Sequence, residues 1–237
     1  MVNSIELMMD EHQVILRMLD VIRTACIEVM NGAEIDYNDF EDMMDFVKNY
    51  ADDHHHGKEE KYLFKEMTDR LVKIGQNLIT NGMLVEHDFG RFYMQELRAA
   101  LQRVKEGDQD SKVDVIANAV SYTHLLRRHI GKEDQVVYTY AAKNLPAEVR
   151  QLRSVTSECH RLHREAFQSI IPCRSITTQS LDCHRLLPLS HILSHYIRTV
   201  LHSSSSETQL CIRSVNVLHH IGHHHIRFEC SPEIYPA

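Results

Sequence analysis

A chain of 237 residues is long enough to bury a sizeable core around a polar site. Its 33 acidic and 26 basic residues leave a formal charge of -7, which argues against general binding to nucleic acid or to an anionic membrane surface. No apolar run reaches the roughly 18 residues of a membrane span, and the N-terminal MVNSIELMMDEHQ lacks the basic-then-apolar order of a secretory signal, so a soluble cytoplasmic protein handling a metal ion or small molecule is expected.

In chain order, the first predicted element runs from Asn3 to Asn31. There Ile5, Met8, Ile15, Met18, Leu19, Ile22, Cys26 and Val29 recur at three- and four-residue steps, and Asn31-Gly32 ends the pattern. A second helix is predicted from about Tyr37 to Ile74, a third from about Leu78 to Glu106 and a fourth from about Lys112 to Lys143, stopping at Asn144-Leu145-Pro146. No segment in this part alternates with the period of a strand. Four long amphipathic helices with short loops imply an all-α, up-down-up-down four-helix bundle over residues 1–147. The Met stripe (Met8, Met18, Met43, Met44, Met67) reads as core packing.

Composition breaks near residue 150. Residues 1–150 hold all ten Met, every Lys, seven His and a single Cys, whereas residues 151–237 hold no Lys or Met but eleven His and five Cys. One Cys suits a reduced, intracellular bundle. A helical continuation from Pro146 to about Ile170 fits the pattern, and residues 171–237 carry none. The run HHIGHHHIRFEC (219–230) lacks a Cys-x-x-Cys pair or regular ligand spacing. Residues 148–237 therefore read as an extension of unclear structure, and their composition resembles an out-of-frame or chimeric continuation more than a domain.

Every predicted helix of the first part carries His: His12 on the first, His54, His55 and His56 on the second, His87 on the third, His124 and His129 on the fourth. Glu59 follows His55 by four residues, and Glu133 follows His129 by four, so each pair shares one helix face. Two such pairs facing each other can present two imidazoles and two carboxylates to a common point, and carboxylates can bridge two cations. Adjacent helical residues diverge by roughly 100°, so at most two of the three consecutive His point inward. Lys58 and Glu60 read as a solvated charged face. Glu86, Asp88 and Arg91 are either partners that orient imidazoles or surface charges.

The segments DEHQVIL (10–16), DDHHHGKEEKYLF (52–64), EHDFGR (86–91) and HIGKEDQVVY (129–138) resemble, in order and separation, the signature segments of the HHE cation-binding family, relatives of hemerythrin. The resemblance spans residues 4–147. It implies two non-haem iron ions, oxo- or hydroxo-bridged, with His12, His55, Glu59, His87, His129 and Glu133 as ligands. Among the three adjacent His, it selects His55.

Two departures from respiratory hemerythrin stand out. His87 is followed one turn later by Arg91 where a second His would stand, and Glu133 lies four residues after His129 where an Asp would lie five on. With four His, two bridging Glu and a bridging oxide or hydroxide, two positions of a six-coordinate iron pair stay open, unless His56, His124 or Tyr93 fills one. That count argues against simple oxygen carriage and for reaction with peroxide or nitric oxide, or for iron exchange.

Three function classes follow. The leading one is a di-iron protein that binds or reacts with dioxygen, peroxide or nitric oxide. The alternative is iron storage or delivery, as in hemerythrin-like proteins linked to repair of iron-sulfur clusters. The third is a metal-free helical interaction module. No nucleophile elbow, phosphate-binding glycine loop or Cys-x-x-Cys supports hydrolase, nucleotide-binding or thioredoxin-like readings.

Overall fold

The computed structural model describes residues 2–149, 151–152, 215–220 and 223–228. Helix α1 (Ser4–Met30) starts where the Asn3 side chain accepts from the Ile5 backbone N–H at 3.1 Å, and it buries Ile5, Met8, Ile15, Leu19, Ile22 and Cys26. It ends where Gly32, at φ +96°, turns the chain left-handed and lets the Ala33 N–H reach the Glu28 carbonyl at 3.0 Å. The second long piece begins as α2 (Tyr37–Phe46), capped by Asp36, passes through π-helical turns at Val47–His56 and Glu59–Leu63, and finishes as α3 (Phe64–Arg70).

The second helix stops short of the expected Ile74. Leu71 leaves helical geometry (φ -106°, ψ 22°), and a short α4 (Val72–Leu78) folds back. Gly75 permits that turn, because a Cβ there would stand 2.3 Å from the Met67 carbonyl oxygen. A π turn (Ile79–Met83) leads into α5 (Leu84–Lys105), and α6 (Lys112–Lys132) continues through a π turn (Glu133–Val137) into α7 (Tyr138–Asn144). Together these pieces make an all-α, up-down-up-down bundle, with α5 and α1 each packed on α6.

The core at one end of the bundle gathers Ile5, Met8, Leu63, Phe64, Met67, Ile79, Met83, Val137, Tyr138, Ala141 and Leu145. Burying each such large side chain contributes about 1.5–3 kcal/mol. All five residues of the Met stripe are buried.

The helix expected beyond Pro146 is absent at its start, where residues 147–149 form a turn and Gln151–Leu152 is extended; the rest of that expectation, residues 153–170, lies outside the described residues. After the extended pairs β1 (Val2–Asn3) and β2 (Gln151–Leu152), the described part of the tail is an antiparallel pair, β3 (Val215–His220) and β4 (His223–Phe228). Its register sets Val215 opposite Phe228 and His220 opposite His223. The site below lies wholly within the compact unit Asn3–Gln151.

Candidate metal centre

The four long pieces each send imidazoles to the bundle axis: His12 from α1, His55 and His56 from the first π segment, His87 from α5 and His129 from α6. Two groups of donors result. His12, His55, Glu59 and Glu133 form one, and His56, Glu59, His87 and His129 form the other. Within each group the candidate donor atoms lie within 4.8 Å of one another, and all are buried. The Nε2 atoms of His12 and His55 are 2.8 Å apart, and those of His87 and His129 are 3.1 Å apart.

The two Glu carboxylates span the groups. Glu133 Oε2 lies 3.3 Å from His12 Nε2, while its Oε1 lies 3.1 Å from His129 Nε2. Glu59 faces His55 Nε2 through Oε1 at 3.8 Å and His87 Nε2 through Oε2 at 3.5 Å. Local backbone geometry explains this convergence. The π turns at 47–56, 59–63 and 133–137 shift the phase of the helix face, so His55, His56, Glu59 and Glu133 all point inward without a loop.

Each of four imidazoles is oriented through Nδ1 by a carboxylate: His12 by Asp134 (2.8 Å), His55 by Glu11 (2.9 Å), His87 by Glu60 (2.8 Å) and His129 by Glu86 (3.0 Å). With Nδ1 so engaged, each Nε2 is aimed at the axis. Three of these carboxylates are backed by cations, Glu11 by Lys58, Glu86 by Lys132 and Glu60 by Arg91 at 2.7 Å. Arg91 also donates to Asp52 at 2.9 Å, and Asp52 lies 3.7 Å from His56 Nδ1. The Tyr138 hydroxyl donates to Glu59, and its ring stacks on His12 at 5.4 Å.

Electrostatics follow from this crowding. Burial opposes charge on His12 and His129, yet Asp134 and Glu133 raise His12 to about 9, and Glu133 with Glu86 raises His129 to about 10. Burial lowers His55, helped by His12, and burial beside His87 pushes His56 down to about 3. Burial and the neighbouring charge of Glu133 push Glu59 up. Against its own burial, Glu133 is held well below the usual carboxylate range by His129, His12 and His87.

Glu59 Oε2, both oxygens of Glu133 and His56 Nδ1 are buried with no hydrogen-bond partner. Buried carboxylate oxygens left in that state are costly unless a cation compensates them. A donor set of hard oxygens and borderline imidazoles fits a pair of first-row divalent or trivalent ions, iron or manganese among them. The residues present therefore fit a metal pair.

The profile of the hemerythrin HHE cation-binding domain matches residues 3–141. The chain belongs to that family. Comparison with curated proteins and with solved structures gives no match. Family and donor groups together fit a metal-binding hemerythrin-like protein. Among the described residues, no helix of this hemerythrin-like chain is long and apolar enough to cross a membrane.

All six residues singled out from the sequence come together in the hemerythrin-like bundle. Of the three left open as a further donor, His56 joins the group, its ring stacked on His87 at 3.9 Å. His124 is exposed, 3.5 Å from Arg23, and Tyr93 belongs to neither group. Reading Lys58 and Glu60 as a solvated face is corrected: Lys58 is buried against Glu11, and Glu60 holds His87. Glu86 and Arg91 prove to be orienting partners, whereas Asp88, 78% exposed, only meets Arg91. Sequence reasoning passed over Glu11, Asp52, Asp134 and Tyr138. Glu11 and Asp134 each sit beside an expected ligand, His12 and Glu133, and that adjacency was the available signal.

Proposed function

We propose that this hemerythrin-like domain holds two non-haem iron ions, one by His12 and His55, the other by His56, His87 and His129, with Glu59 and Glu133 shared. The observation that supports this reading is the pair of buried carboxylates, each turning one oxygen to either imidazole group. Two ferrous ions held there would supply the electrons for reaction with dioxygen or peroxide, or a site for nitric oxide.

The chain's own residues set the rest. Carboxylates on Nδ1 hold four imidazoles in one tautomer, Tyr138 donates to Glu59, and Phe64, 5.8 Å from the His87 ring, helps wall the centre off from water. His56 as a fifth imidazole beside the two shared Glu would leave a bound pair of ions less open to outside ligands than four imidazoles would. That would favour a single small ligand, dioxygen first, over iron exchange, and retention of iron over its delivery. Buried Cys26 is a free thiol, which suits a reducing cytoplasm.

Metal analysis with an optical spectrum tests the reading, followed by stopped-flow mixing of the reduced protein with oxygen. The expected result is close to two irons per chain, near-ultraviolet charge-transfer bands in the oxidised form and a reversible change with oxygen. Zinc in place of iron, or no metal, would overturn it.

A further inference from the structure

We propose that Tyr138 is a metal ligand, its phenolic oxygen completing the donor group of His12 and His55 as His56 completes that of His87 and His129. The inference deepens the metal-pair reading above and rests on it.

Two ten-residue segments build the centre in the same way. Residues 55–64 and 129–138 carry His, Gly, Lys and Glu at their first, third, fourth and fifth positions, and each makes a π turn over its fifth to ninth. The fourth-position lysines, Lys58 and Lys132, back Glu11 and Glu86. The sixth-position acids, Glu60 and Asp134, hold Nδ1 of His87 and of His12. The tenth-position aromatics stack on those same two imidazoles, Phe64 on His87 at 5.8 Å and Tyr138 on His12 at 5.4 Å.

Two differences between the segments change the donors. The second position is His56 in one and Ile130, buried and without a donor atom, in the other. The tenth is Phe64, also without a donor atom, in the first and Tyr138 in the second. One half thus gains an imidazole where the other gains a phenol. The Tyr138 hydroxyl lies 3.4 Å from His12 Nε2 and donates to Glu59, so it stands beside two members of the group that His12, His55, Glu59 and Glu133 form. A proton held between two buried oxygens occupies a place that a cation can take, and a bound cation draws the proton from an acid that coordinates it. On metal uptake the phenolic proton passes to solvent, and the oxygen turns its freed electron pair to the metal. A phenolate is a hard anionic oxygen, suited to ferric iron.

The test is the resonance Raman and visible spectrum of the oxidised full-length protein, with iron measured on the same sample. A tyrosinate-to-iron charge-transfer band is expected, and excitation within it should enhance tyrosinate ring modes. Tyr138→Phe should lose both, whereas Tyr93→Phe, whose ring packs beside Phe92 at 5.9 Å, should keep both. The wild-type spectrum decides the matter even should Tyr138→Phe fail to fold or to hold iron. Two irons without tyrosinate modes, or modes that persist in Tyr138→Phe, overturn the assignment and leave the iron pair standing. For protein purified without iron, zinc is titrated in and followed by ultraviolet difference, which nine Tyr and no Trp make a clean report on phenols. Loss of one phenolic proton per chain in wild type and none in Tyr138→Phe would sink the iron reading alone. Zinc bound with every phenol still protonated, or no metal bound at all, overturns the assignment.

Discussion

The Nε2 atoms of His12 and His55 face each other at 2.8 Å in the middle of the bundle, too close for both to carry a proton there. His12 keeps the proton, being raised to about 9, while burial and His12 itself lower His55.

Metal uptake should therefore release protons. His12 and His129 hold theirs up to about 9 and about 10 in the metal-free fold, and a metal needs the same Nε2 lone pairs. Apparent affinity should rise with pH toward that range. Raised pKa values also stabilise the metal-free fold, fully below the unfolded value near 6.5 and decreasingly as pH climbs through about 9 to 10. Calorimetry in two buffers of different ionisation enthalpy measures the release; equal heats in both would contradict it.

Glu59→Gln or Glu133→Gln keeps the shape but removes a charge from between the two imidazole groups. Loss of at least one iron per chain is expected in each variant, by elemental analysis of the folded protein. Full retention in both would show that neither carboxylate is shared.

His56→Ala should change the iron spectrum and speed autoxidation, because it removes one imidazole from the set that would hold the metal. His124→Ala should match the wild type, since its ring lies exposed near Arg23. Equal behaviour of the two variants would remove His56 from the ligand set.

Arg91 stands where a hemerythrin places a ligand, yet its guanidinium is engaged with Asp52, Glu60 and Asp88. Arg91→His should thus loosen the partners of His56 and His87 rather than add a donor. Metal affinity should fall by about 10–100-fold, as for other partners of metal ligands. Competition with a chelator measures it, and tighter binding would refute the clamp.

A chain ending at Gln151 keeps the whole compact unit that carries both donor groups. It should remain helical and take up as much iron as the full chain. An insoluble or iron-free product would make the tail an integral part of the fold.

The bundle was legible because its stripe of apolar residues repeats over four long segments, and the six principal donors because their helical spacing sits in recognisable segments. His56 was not separable from His54 and His55 by sequence, since α-helical phase admits at most two of three inward, and the π turn at 47–56 sets which two. Nor was the fold-back at Leu71 visible. It depends on Gly75 passing close to the Met67 carbonyl, a contact with no periodic signature. Lys58 looked like any surface lysine until its partner, Glu11, proved to come from another helix.

The cations behind the orienting carboxylates make the two halves of the centre electronically unequal. Lys58, Arg91 and Lys132 draw negative charge away from Glu11, Glu60 and Glu86, and so weaken the pull of those carboxylates on the Nδ1 protons of His55, His87 and His129. Asp134 has no such cation among the described residues, so His12 receives the strongest push and becomes the most electron-donating imidazole of the set. A metal pair held in this bundle would therefore meet unlike surroundings in its two halves, one containing the cation-free pair of His12 and Asp134 and the other with both orienting carboxylates backed by cations.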